Sequence, residues 1–217
     1  MSVIEKKIDK LVKIYDLFDE IISEIDVHCR IKCDTCCTCN VAITQLEGLL
    51  ILERTKRAKA DMILNRVRQN FPKKRYQPLL TTNMFARFCV EGQVVPDEEN
   101  DPAWGKCPLI EDGQCSIYPL RPFGCRALLS QVSCRKMGEA QVPELLLTYQ
   151  NIFMQAIEQL DVNGIFGNLS DVILTVAEKH QLLSEDPEKI ISKDISFPLN
   201  EPIKVLMVPP EHRNKTA

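Results

Sequence analysis

The chain has 217 residues, 45% of them hydrophobic, and a formal net charge of −3, which suits one folded domain with extensions. Its 8 Gly and 6% aromatics argue against an all-β barrel or propeller, and its slight acidity against bulk attraction to a polyanion, so nucleic acid is not an expected partner. MSVIEKKIDKLVKIYDLFDE lacks a basic leader with an apolar core, and no uncharged apolar run reaches about 18 residues; neither a secretory signal nor a membrane span is expected, and the cytoplasm is the default address.

Residues 3–27 read as one amphipathic helix. Ile4, Ile8, Leu11, Tyr15, Phe18, Ile22 and Ile25 recur at steps of four and three, and Cys29 is the next seam position. Thr44-Gln45-Leu46-Glu47 is a capping box, predicting a helix that carries Leu46, Leu49, Leu50 and Ile51. A further helical pattern runs from about Lys59 to Asn70 and ends at Phe71-Pro72. Residues 54–75 hold nine Lys or Arg against one acid, Asp61. Such a run is ordinarily a solvated face; its functional reading is a docking surface for an anionic partner, either nucleic acid or an acidic protein.

From Pro72 to Lys106 the chain reads as irregular. Lys106–Ile110 and Gln114–Tyr118 flank Glu111-Asp112-Gly113 as a short hairpin, and Pro119 and Pro122 turn the chain into a helix near Cys125. Helices are expected at roughly 143–160 and 169–182, with Gly164 and Gly167 between them, and an edge strand in the Pro-bounded tail 197–210. The division is therefore an N-terminal amphipathic helix, 1–28, a cysteine-rich metal-binding domain, 29–135, and a helical extension, 136–217. The expected fold class is mainly α (α+β), with helices packed around a small β-hairpin and a cysteine-ligated metal centre.

Ten cysteines carry the chemistry. Cys29, Cys33, Cys36, Cys37 and Cys39 form C-x3-C-x2-C-C-x-C, and Cys107, Cys115, Cys125 and Cys134 answer it downstream. Thiols at this density are seldom placed for packing. In a reducing compartment a metal is a better explanation than disulfides. Cys33 and Cys36 have the spacing of a two-ligand turn, the hairpin brings Cys107 near Cys115, and Cys125 starts a helix whose N–H groups favour a thiolate. Adjacent residues rarely aim both sulfurs at one ion, so Cys36 and Cys37 either serve different centres or bridge a binuclear one; a vicinal disulfide would be strained.

Arg121 and Arg126 flank Cys125, and with Arg30, Lys32, Lys106 and Arg135 they can offset the charge of a thiolate-bound cofactor. For Lys32 and Lys106, surface salt bridging explains the charge equally well. Trp104 either shields the site or packs in the core. His28 could add a nitrogen ligand, whereas His180 and His212 show no ligand spacing.

These residues resemble the YkgJ-type cysteine-cluster family, described as zinc- or iron-chelating domains. Its pattern falls on Cys29, Cys33, Cys36 and Cys37; on Cys107-Pro108; on Cys115, Ile117 and Tyr118; and on Arg121, Pro122, Cys125 and Arg126. The resemblance covers about residues 29–135 and implies eight cysteine ligands, with Cys134 as the eighth and Cys39 and Cys89 outside the set. It implies a metal-binding protein holding an iron–sulfur cluster, or zinc as the alternative, in a structural or redox role. The vicinal pair and the arginines near sulfur favour iron–sulfur. One branch of the family is similar to bacterial flagellin lysine N-methylase, which implies a lysine-modifying enzyme as an alternative, with carboxylates such as Glu47 handling the ammonium. The chain shows no Gly-rich nucleotide loop, and no catalytic residue is assigned. A third reading is a zinc-stabilised interaction module with helix 3–27 as its contact surface.

Overall fold

The computed structural model describes residues 2–29, 32–71, 73–184 and 205–208. Ser2 caps the first helix, α1 (Val3–Ser23), in a capping box with Glu5, and Ile8, Leu11, Tyr15 and Phe18 form its buried stripe. The helix stops short of the expected residue 27. The His28 N–H is drawn to the Ser130 carbonyl at 2.7 Å, a bond that a continuing helical ladder would not leave available. Cys29 therefore lies in the loop beyond α1 rather than on its seam.

Thr44 and Glu47 form the expected capping box and start α2 (Gln45–Arg54). The next helix, α3 (Arg57–Asn70), buries Ile63, Leu64 and Val67. Both pack on α8 (Leu169–Ser184), whose Val172, Ile173 and Val176 are buried. Gly48 permits the approach of α2 to α8: a Cβ there would meet Val172 Cγ1 at 3.1 Å. The helix α7 (Glu144–Leu160) lies against α1, where Phe18 meets Phe153 and Phe123 edge-on at 5.2 and 4.8 Å between ring centroids.

The stretch expected to be irregular contains a helix, α4 (Thr82–Glu91). Thr81 Oγ1 accepts from the Met84 N–H at 3.2 Å, and Gly92 ends the helix at φ 65°. Its first turn is held by Glu158 of α7, which accepts the N–H groups of Thr82 and Asn83 at 2.6 and 2.8 Å.

Among the described residues, two small antiparallel sheets complete the fold. β1 (Ala42–Thr44), β4 (Ile165–Asn168) and β5 (Val205–Met207) pair in the order β1-β4-β5, with Ile43 opposite Gly167 and Phe166 opposite Leu206. β5 lies in the tail expected to add an edge strand; 197–204, 209 and 210 fall outside the described residues. The hairpin is present but shorter than expected, as β2 (Ile110–Glu111) and β3 (Gln114–Cys115). Asp112 (φ 50°) and Gly113 (φ 73°) make a two-residue turn that matches the strand twist. Beyond the hairpin, α5 (Phe123–Ala127) carries Cys125 and α6 is the single turn Cys134–Met137. The molecule is thus mainly helical, with small antiparallel sheets, as the sequence pattern leads one to expect.

Candidate metal centre

The two cysteine segments meet through their backbones. The Cys107 N–H donates to the Cys37 carbonyl at 3.0 Å, the Cys39 N–H to the Gly105 carbonyl at 2.9 Å, and Thr38 pairs with Lys106 in an isolated antiparallel bridge. The hairpin adds Cys115, whose backbone pairs with Ile110, while the Ile110 N–H closes a turn on the Cys107 carbonyl at 3.1 Å. Cys125 enters from α5. That short helix is held at its start by Glu47, which accepts the Phe123 N–H at 2.7 Å.

Cys29 and the loop of Cys33 are linked instead to the segment that carries Cys134. Cys29 Sγ accepts the Ser130 N–H at 3.3 Å, four residues ahead of Cys134. Asp34, next to Cys33, receives Arg135, next to Cys134, at 3.5 Å, and Lys106 at the same distance. Nothing in the sequence pattern singles out Ser130 or Asp34, because a backbone donor and a lone Asp have no motif; only the folded backbone shows them.

The electrostatics of the thiols are those of crowded acids. Burial pushes Cys125 well up, with Cys107, Cys115 and Cys36 adding to it. Cys107 is pushed up to about 12, first by burial and also by Cys115. Cys36 is held down by a hydrogen bond from the Cys37 thiol, with Lys106 helping, and Cys37 is pushed up correspondingly by the same contact. Cys115 is raised by burial against a lowering contribution from Arg121.

The two arginines divide. Arg121 stacks its guanidinium on Tyr118 at 4.0 Å and donates to the Tyr118 carbonyl at 3.2 Å, with its charge bearing on Cys115. Arg126 turns to α1, pairing with Asp19, lying over the Tyr15 ring at 4.6 Å and donating to the Pro119 carbonyl at 3.0 Å. Trp104 is half-buried under Lys74, 4.4 Å from its ring centroid. Cys39 lies beside it in a small recess of about 30 Å³, and Cys89 is exposed on α4. Arg30 and His212 lie outside the described residues, as does the His180 side chain.

The ten cysteines are present as thiols. Among the described residues, no three His, Cys, Asp or Glu side chains converge closely enough to hold one ion as they stand. The donor chemistry nonetheless fits a soft cation: crowded thiols that raise one another cannot all ionise together unless positive charge joins them. Among the described residues no helix is long and apolar enough to cross a membrane. No family profile, curated protein or solved structure matches the chain.

Proposed function

We propose that this protein binds metal through its two cysteine segments, holding an iron–sulfur cluster, or zinc, in a structural or electron-carrying role. The observation that carries the reading is the closure of residues 37–39 onto 105–107, which draws together cysteine-bearing segments some seventy positions apart. The motif resemblance to the YkgJ-type family supports the same conclusion. Cys29, Cys33, Cys36, Cys37, Cys107, Cys115, Cys125 and Cys134 would hold the group. When bound, it supplies a cross-link between the segments and, in the iron–sulfur case, a seat for one electron.

The rest is done by the chain. Lys106 near Cys36 and Arg121 near Cys115 favour thiolate over thiol. The amides of Ser130 and Leu109 donate to the sulfurs of Cys29 and Cys107 at 3.3 and 3.5 Å, a contact that tunes a sulfur ligand. Arg126 serves the packing of α5 on α1 instead.

Two other readings find less support. Four cations of the 54–75 run are paired inside the molecule: Arg54 with Asp9, Arg66 with Glu111, Lys74 with Glu99 and Arg75 with Asp171. That favours a solvated, partly self-neutralised face over a surface for an acidic partner. Glu47 is 1% exposed with its oxygens occupied by protein donors, so it does not face an incoming lysine.

The test is anaerobic purification followed by elemental analysis and an absorption spectrum. Iron with sulfide and broad visible absorption, or zinc in a colourless protein, is the expected result. A protein that arrives without metal and takes none up when reduced would end the reading.

A further inference from the structure

We infer that the vicinal pair is a divide, and that the eight thiols form two adjoining four-cysteine sites: an outer one of Cys29, Cys33, Cys36 and Cys134, and an inner one of Cys37, Cys107, Cys115 and Cys125. The inference rests on the metal-binding reading and adds to it the number of centres and their membership.

Of the outer four, Cys134 lies in the segment 130–135, and Cys29 and the loop of Cys33 are tied to it. Cys29 is fixed to the Ser130 amide by its sulfur, and His28 to the Ser130 carbonyl by its backbone. The loop of Cys33 is tied to that of Cys134 by the ion pair of their neighbours, Asp34 and Arg135. The inner four are tied to the hairpin and α5. Cys37 is joined to Cys107 by their backbones, Cys107 to Cys115 by the turn and the two-strand ladder, and Glu47 fixes the start of the helix that carries Cys125.

Cys36 and Cys37 differ as such a divide requires. Cys36 is exposed and Cys37 half-buried, and the Cys37 N–H closes a turn on the Asp34 carbonyl at 3.1 Å. The sulfur of Cys36 lies within hydrogen-bond reach of that of Cys37, so the two sites share a border. Four thiolates each is a complete tetrahedral set for zinc and a complete ligand set for a cluster.

The experiment titrates reduced, metal-stripped protein with cobalt(II) alone, without oxygen, following thiolate-to-cobalt absorption. The wild type is expected to saturate at two equivalents, and Cys29→Ser and Cys115→Ser each at one, with half the amplitude. In wild-type protein given one equivalent and then alkylated, mass spectrometry should find the protected cysteines within one of the two sets; this arm does not depend on how the variants fold. Saturation of the wild type at one equivalent, loss of all binding in either variant, or protection spread over both sets would overturn the division while leaving metal binding intact. No cobalt uptake by the wild type would instead overturn the metal-binding reading itself, and the division with it.

Discussion

The carboxylate of Glu47 accepts the phenolic hydroxyl of Tyr15 at 2.8 Å, and both side chains are buried. The same carboxylate takes the Thr44 N–H at 2.8 Å and the Phe123 N–H at 2.7 Å, so one side chain joins α1, α2 and α5. Glu47→Ala should strand a buried hydroxyl and a buried amide and lower stability by about 3 kcal/mol or more, whereas Tyr15→Phe, which leaves the other donors in place, should cost about 1 kcal/mol. Urea midpoints of the two variants check this. Equal losses would show that Glu47 is not the hub described.

Arg75 and Asp171 form a second buried node. Arg75 donates from Nε and Nη2 to the two Asp171 oxygens at 2.7 and 2.8 Å, and the pair is 5% and 0% exposed. Breaking it from one side leaves an uncompensated charge, so Arg75→Met or Asp171→Leu alone should cost about 3–5 kcal/mol. The double substitution should recover most of that. A double-mutant cycle on denaturation free energies measures the coupling; additive losses would refute it.

Asp161 sets an acid branch of stability. Its carboxylate accepts the Leu46 N–H at 2.9 Å, and burial pushes its acid up to about 6 from an ordinary 3.8. Between those values the folded protein keeps a proton that the unfolded chain has released. Stability should therefore fall as pH rises through this window, by about 3 kcal/mol, and level off above it. Glu47 is raised by burial too and moves in the same direction, so the readout is the difference between wild type and Asp161→Asn measured at both ends of the window. Parallel pH profiles for the two proteins would remove Asp161 from the account.

Metal loss should loosen the centre of the molecule, because the energy of a site formed only in the folded state is folding energy. Cys36→Ser, Cys107→Ser and Cys125→Ser should each lower the melting temperature and the hydrogen-exchange protection of residues 105–128. Cys89→Ser, on the exposed face of α4, should change neither. Metal-stripped wild type that melts where the loaded protein does would contradict this.

The long helices are legible in the sequence because their apolar spacing is regular and, at Thr44 with Glu47, the cap agrees with it. The sheet that joins residues 42–44, 165–168 and 205–207 is not. Strands of three or four residues are too short to show a period, and pairing between distant segments leaves no local trace. Helix α4 is the instructive miss. Thr81 and Gly92 mark its two ends and Met84, Phe85 and Phe88 recur at helical spacing, but the helix is only 10 residues long and none of its residues is fully buried, so the pattern is too brief to stand out between Pro78 and the acidic stretch. At the candidate site the cysteine spacing shows which segments belong together. The destination of Arg126 does not show, since a pair with Asp19 depends on where α1 lies in space.

The pairing of β1 with β4 has a consequence for how the chain is made. Residues 42–44 leave the ribosome directly behind the first cysteines, but their hydrogen-bonded neighbours, 165–168, emerge long afterwards. Until then the loop of Cys33–Cys39 is anchored neither by a sheet on its outgoing side nor, before residue 107 appears, by the Cys37 carbonyl bond. The thiols synthesised first are thus among the last to be fixed in place, and any metal they take up would arrive late in the life of each molecule.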